Sequence, residues 1–206
     1  NELGVRIGNK RVNVLLYADD AVLVAESESE LQRMIAKVNV SMEQMGMKIN
    51  CKKTNVMVFE EKDARTQCDI TVGMQKLEQV NEFVYLGSKF TSDGGVDGEI
   101  ERRINEGRKV TGILSGIAKR EGLANKAKVA VYNSVLVPTV MYGSETWTRL
   151  KRHESKINAV GMNFLRMVCG KTRRDCVRNT WVLNECEVDG TITDKMDESQ
   201  LRWFGH

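Results

Sequence analysis

The stretch VLLYADDAVLVA, residues 14–25, sets two adjacent acids, Asp19 and Asp20, inside an otherwise unbroken apolar run. A buried, unpaired carboxylate is so costly that it shifts its pKa until it is neutral, so the pair must sit where water or a cation compensates it. The flanking runs, VNVLLYA at 12–18 and AVLVA at 21–25, are short and rich in β-branched residues. Because Asp tolerates turn dihedrals, the stretch predicts a hairpin turning at Asp19-Asp20. At such a tip the carboxylates are presented to a divalent cation. Magnesium suits them: it takes hard oxygen ligands, one or two carboxylates, and water or substrate phosphate in its other positions. Taken alone, the two acids are equally a solvated turn in a surface hairpin.

Outward from the hairpin the first half reads as mixed helix and strand. Ser27 and Glu30 fit a capping box ahead of Leu31, Met34, Ile35, Val38, Met42 and Met45, which recur at helical spacing, and Gly46 is placed to stop the helix. The methionine stripe is expected in the core. TNVMVF at 54–59 predicts a strand, EEKDAR a surface turn, and ITV and EFVYLG two further strands. Together they predict an α+β domain with a packed helix on an antiparallel sheet.

At TSDGGVDGE the pattern breaks, and the domain boundary is expected there, giving domains 1–95 and 96–206. Ile100, Ile104, Gly107, Thr111, Leu114 and Ile117 stripe one basic, amphipathic helix; a second is expected from Asn125 to Val137, ended by Pro138, and a third from Arg149 to Val168, with Ile157, Val160, Phe164, Leu165 and Val168 inward and Gly170 at its end. The second domain is therefore expected to be all-α.

Charge follows the same division. Residues 1–95 carry 12 Lys and Arg against 14 Asp and Glu, residues 96–183 carry 17 against 8, a net of +9, and residues 184–206 carry 2 against 6. Such asymmetry points to a polyanion partner for the middle segment. No basic-then-apolar leader opens the sequence and no apolar run approaches the ~18 residues of a membrane span, so an intracellular protein, or a piece of one, with no membrane partner is expected. Five widely spaced cysteines without a C-x-x-C pair are expected as reduced thiols; the spacings of Cys169, Cys176, Cys186 and His206 fit no common zinc module.

Tyr17-Ala18-Asp19-Asp20 resembles the YxDD box of reverse transcriptases, in the YADD form of non-LTR retrotransposons and group II introns. In order after it, GMKINCKKTNVMVF at 46–59 resembles the next family motif, in which a lysine follows a helix, and FVYLGSKF at 83–90 the primer-grip hairpin. VPTVMYGSETWT at 137–148, FLRMVCGKTRRDCVRN at 164–179 and the terminal QLRWFGH resemble the segment after the polymerase core in LINE-type elements.

The resemblance implies a partial polymerase palm followed by a basic thumb and the start of a post-polymerase extension. Asp19 would be a catalytic metal ligand and Asp20 its neighbour, with magnesium, or manganese in its place, and deoxynucleoside triphosphates as substrates. Tyr17 and Ala18 would sit beside the primer terminus. Lys53, with Lys52 as rival, would approach the incoming triphosphate, and Tyr85, Leu86 and Gly87 would shape the primer grip. Arg102, Arg103, Arg108, Lys109, Lys126 and Lys128 would hold an RNA–DNA hybrid by its phosphates. Lys171, Arg173, Arg174 and Arg178 would face template or element RNA, or else a solvated loop. Of Trp147, Trp181 and Trp203, at least two are expected in the core. The family's remaining aspartate and its fingers precede the YADD box, so the resemblance implies an RNA template, a DNA primer and a missing N-terminal polymerase half as partners. It also implies a fragment inactive alone, and a nuclear and cytoplasmic ribonucleoprotein. A noncatalytic RNA- or DNA-binding remnant of a decayed element is the alternative.

Overall fold

The structure, a computed structural model, describes residues 3–60 and 66–205. Most of the expected EEKDAR turn, and His206 of the considered cysteine–histidine set, lie outside the described residues. By its internal contacts the chain divides into two units, Asn1–Tyr85 with Phe90–Gly95, and Leu86–Lys89 with Val96–His206.

In the first unit β1 (Val5–Ile7) and β2 (Lys10–Val12) form one antiparallel hairpin, and β3 (Val14–Tyr17) and β4 (Asp20–Leu23) a second. Asn13 separates them, so the single strand expected over 12–18 is two. Helix α1 (Glu28–Gln44) follows, with the Ser27 hydroxyl accepting from the Glu30 N–H at 3.3 Å. The expected box is half formed: the Glu30 carboxylate accepts instead from Gly4 N–H at 2.6 Å and Glu26 N–H at 3.1 Å. These two backbone donors, Gly4 first, hold Glu30 below the usual carboxylate range. Gly46, at φ 73°, ends the helix as expected, its N–H bonded to the Glu43 carbonyl and that of Met47 to Met42. Of the methionine stripe, Met34 is buried, Met42 half-buried and Met45 exposed, because only the helix's first turns face the core.

That core is small: Ile35, Val56, Cys68, Ile70 and Leu77, with Leu23, Leu31 and Ile49 packed against it. Gln32 extends the adjoining ladder like a strand residue, accepting from Thr71 N–H at 2.8 Å and donating to its carbonyl at 3.0 Å. The remaining strands are short: β5 (Asn55–Val56), β6 (Thr71–Val72), β7 (Gln75–Lys76), β8 (Glu78–Gln79), β9 (Glu82–Tyr85) and β10 (Ser88–Thr91). The architecture is thus mixed helix and strand, compatible with α+β. Among the described residues the strands make separate two-stranded ladders instead of one sheet, and β5 pairs with β8 in parallel.

In the second unit α2 (Asp97–Ala118) packs on α5 (Lys151–Val168), the central helix, which also touches α3 (Asn125–Val131), α6 (Asn179–Glu185) and α7 (Ile192–Phe204). Close approach needs glycine at two points. A Cβ on Gly107 would lie 2.5 Å from Val140 Cγ2, and one on Gly161 would lie 2.9 Å from both Ile192 Cδ1 and the Tyr132 hydroxyl. Ile100, Ile104 and Thr111 are buried as expected, but Ala118 takes the inward position expected of Ile117, which is exposed.

Pro138 does not end its helix. After α3 the chain passes through a π-helical segment, Tyr132–Leu136, into α4 (Val137–Met141), whose second residue is Pro138. The wider turn displaces the hydrogen-bond register ahead of the ring, so the helical chain runs past the proline, which lacks an N–H to donate. Tyr132 stacks on Phe164 with ring centroids 5.9 Å apart. Two helices not foreseen, α6 and α7, complete the unit; α7 carries a capping box between Thr191 and Asp194 that the TITD spacing encodes. Of the tryptophans only Trp147 is buried, and Trp181 and Trp203 lie on outward helix faces. Among the described residues no helix is long and apolar enough to cross a membrane.

Candidate nucleic-acid and metal site

The acid hairpin turns one residue earlier than expected. Tyr17 pairs with Asp20, so the two-residue loop is Ala18-Asp19 and Asp20 opens the returning strand. Strict pairing of Leu16 with Ala21 and Leu15 with Val22 sets that register. Ala18 takes φ 51°, a left-handed conformation that costs a residue with a Cβ about 1–2 kcal/mol. Both acids are exposed, which answers how the apolar run tolerates them. The apolar residues leading into the turn are exposed too, Leu16 at 75% and Tyr17 at 62% accessibility, whereas Val22 to Ala25 after it are half-buried.

Adjacent exposed carboxylates are the hard oxygen donors that magnesium takes. Among the described residues no third His, Cys, Asp or Glu joins them in a metal-holding group. The chain's own residues therefore fit part of a magnesium site. Among the described residues none of the cysteines enters a three-ligand cluster either.

Lys52 and Lys53 are exposed in a turn built on Asn50, whose carbonyl accepts from the N–H groups of Lys53 and Thr54, each at 3.0 Å. The turn thus presents both ammonium groups to solvent just before β5.

Leu86 and Gly87 form the loop between β9 and β10, with φ values of 47° and 76°. Left-handed dihedrals at both central residues match the twist of a tight hairpin, and they are the visible reason for glycine at 87. Tyr85, half-buried, ends β9. The loop is pinned from the helical side of its own unit. Arg102 and Arg103 both donate to the Gly87 carbonyl, the Tyr142 hydroxyl donates to the Leu86 carbonyl at 2.7 Å, and the Lys89 N–H donates to Glu99 at 2.9 Å. Glu99 gathers the two guanidinium groups, at 2.7 Å from Arg102 and 2.6 Å from Arg103. Burial pushes the Glu99 carboxyl upward, but the bonds from Arg102, Arg103 and Lys89 outweigh it and leave it below the usual range. Sequence reading missed Glu99 and Tyr142. The E-x-x-R-R spacing signals the first; nothing local signals the second.

The six basic residues expected on nucleic acid thus divide. Arg103 is buried at 9% accessibility and Lys128 at 7%. Arg102 is half-buried on Glu99, whereas Arg108, Lys109 and Lys126 are exposed. Lys109 pairs with Glu106 at 2.8 Å, and Arg108 donates to Asn105 at 3.0 Å. Arg108 also lines a cleft of about 340 Å³ between α2 and α5, together with Ser115, Lys156, Asn163 and Arg173. Lys156, which pairs with Glu101, was not foreseen, being far from Arg108 in sequence.

Residues 1–90 match the family model described as reverse transcriptase (RNA-dependent DNA polymerase). A transposon-derived protein of Caenorhabditis elegans is 22% identical, covering 98% of this chain and 74% of that protein. The retrovirus-related Pol polyproteins of R2 retrotransposable elements from Nasonia vitripennis and Drosophila melanogaster are each 26% identical, over 68% and 69% of this chain. The chain spans only 14% of the length of either polyprotein. The chain is thus similar to the reverse transcriptases of non-LTR retrotransposons, through the family model over residues 1–90 and through the R2 polyproteins over about two thirds of its length.

Proposed function

We propose that this chain is the palm-and-thumb portion of an RNA-directed DNA polymerase of a non-LTR retrotransposon, which extends a DNA primer on an RNA template by two-metal nucleotidyl transfer. The observation that carries the reading is the pair Asp19 and Asp20, exposed in and directly after a strained two-residue turn, within the stretch that matches the reverse transcriptase family. Backbone strain concentrates at functional sites, and the two turns assigned to catalysis and primer grip hold two of the non-glycine residues with positive φ, Ala18 and Leu86.

In this reading Asp19 and Asp20 hold the metal and Tyr17 and Ala18 flank the primer end. Magnesium, when bound, supplies charge compensation for attacking and leaving oxygens. Lys53, free to reach from its turn, steadies the triphosphate and protonates the leaving pyrophosphate. Arg102 and Arg103 act through Gly87: they position the primer-grip turn instead of touching phosphate. The phosphate contacts fall to Arg108, Lys156 and Arg173 around the α2/α5 cleft, with Lys109 and Lys126 on neighbouring exposed surface.

The test is primer extension on an RNA template by the longer polyprotein carrying this chain. Asp19→Asn is expected to abolish synthesis while hybrid binding persists; unchanged synthesis would sink the assignment. One observation favours a second reading, a noncatalytic binder: no third ligand joins the two acids among the described residues. On that reading, even the unaltered polyprotein makes no DNA, and hybrid binding is indifferent to both acids.

A further inference from the structure

Cys169 and Cys186 end two different helices, as the C-caps of α5 and α6. Their sulfurs lie 3.2 Å apart. Both main chains are already held there, Cys169 N–H on the Leu165 carbonyl and Cys186 N–H on that of Val182, each at 3.1 Å. The bonded S–S length is about 2.0 Å, so side-chain torsion closes the gap. We propose that these two thiols are a reversible oxidation site, forming an intramolecular disulfide that ties α5 to α6 and closes the basic loop between them.

The two thiols differ in the way such chemistry requires. Cys169 is half-buried at the edge of the helical core, whereas Cys186 is buried within it. Burial, reinforced by the hydrogen bond to Cys169, pushes the Cys186 thiol up to about 12, so it stays protonated and unreactive toward oxidant at neutral pH. Cys169 is therefore the first to react. With hydrogen peroxide as oxidant, its sulfur takes one oxygen, the O–O bond breaks and water leaves, giving a sulfenic acid. The Cys186 sulfur then bonds to that of Cys169 as the S–O bond breaks, and the Cys186 thiol proton passes to the departing hydroxyl, which leaves as a second water. Two thiols and one peroxide yield one disulfide and two waters, and two electrons pass from sulfur to oxygen. Dithiothreitol reverses the step by thiol–disulfide exchange.

Of the three cysteines of the helical unit, Cys176 is the remaining one; it is exposed within the loop, at φ 53°, while the sulfur–sulfur contact joins the other two, so the test removes it as the accessible competitor. That loop also carries Lys171, Arg173, Arg174 and Arg178, and it is docked by Arg166, which donates to the Val177 carbonyl and to Asn179 at 2.8 Å each. Arg173 lines the α2/α5 cleft, so the bond fixes one of the cleft's cations. This consequence rests on the cleft's proposed role; the bond itself does not.

The test oxidises the purified chain with equimolar hydrogen peroxide, alkylates it and maps peptides without reduction. Expected are a Cys169–Cys186 linked pair that dithiothreitol releases, unaffected by Cys176→Ser, and a rise in Tm of about 5 °C or more. Cys186→Ala and, at the half-buried edge, Cys169→Ser should each abolish both. The proposal is overturned if the folded, peroxide-treated chain still alkylates at both positions, or if Cys176 appears in the linked peptides. Hybrid affinity measured on the same oxidised sample separates the two claims: if the bond forms and affinity is unchanged, only the cleft's role fails.

Discussion

Arg103 lies over the ring of Tyr142, its guanidinium carbon 4.5 Å from the centroid, and the two side chains hold adjacent carbonyls of one turn, Gly87 and Leu86. A buried cation from α2 and an exposed-edge tyrosine after α4 thus fix a loop that precedes both. Glu99 completes the arrangement by neutralising the arginine.

Glu99→Gln is expected to destabilise the helical unit by about 3 kcal/mol, because it leaves Arg103 buried without a counter-charge. Tyr142→Phe removes one hydrogen bond at a half-open position and should cost only about 1 kcal/mol. Urea unfolding monitored by far-UV circular dichroism distinguishes the two; equal costs would contradict the assigned role of Glu99.

The same carboxylate makes stability sensitive to acid. Glu99 sits below its ordinary value of 4.5 when folded, so the unfolded chain takes up the proton first as pH falls. Its contribution is complete above about pH 4.5 and is lost as pH drops through the lower, folded value. Melting curves from pH 7 to pH 3 should therefore show a falling Tm at the acid end, and the Glu99→Gln variant should show a shallower fall there.

Two glycines of α2 should respond oppositely to alanine. At Gly107 the new methyl meets Val140 and Val160 at 2.5 and 3.0 Å, an overpacking that costs about 1–3 kcal/mol. At Gly116 it meets nothing within 4 Å, and the better helix propensity should gain up to about 1 kcal/mol. Thermal melts of the two variants check the contrast.

Asp19→Asn and Asp20→Asn should leave unfolding stability within about 0.5 kcal/mol of the parent, since both side chains are exposed. A large loss would mean that the acids hold the hairpin together, which would remove the chemical reason for them.

If the cleft between α2 and α5 holds phosphate, Arg108→Ala and Arg173→Ala should each reduce the slope of log affinity against log salt by about 1 for an RNA–DNA hybrid. Arg103→Lys should leave that slope unchanged. A salt slope that ignores Arg108 and Arg173 would place the phosphates elsewhere.

Several features were legible because they are short-range. The hairpin at the two acids, the Ser27 cap, the Gly46 and Gly170 stops and the inward face of α5 follow from turn chemistry and helical spacing, which operate over a few residues. The turn's one-residue shift and the outward placement of Ile117 are errors of phase. They arise because several registers satisfy the same local pattern until a partner strand or helix selects one.

What the sequence by itself determined is therefore the local vocabulary: paired acids at a tight turn, a basic middle segment, amphipathic helices with their caps, and the family resemblance carried by ordered motifs. What only the tertiary structure decided is which of those groups remain available. Arg103 is spent on Gly87, 16 residues away, Leu86 is held by Tyr142 across 56 residues, and Cys186 meets Cys169 across 17. Desolvation and partnership are set by whatever the folded chain brings into contact, and that is a property of packing, not of spacing along the sequence.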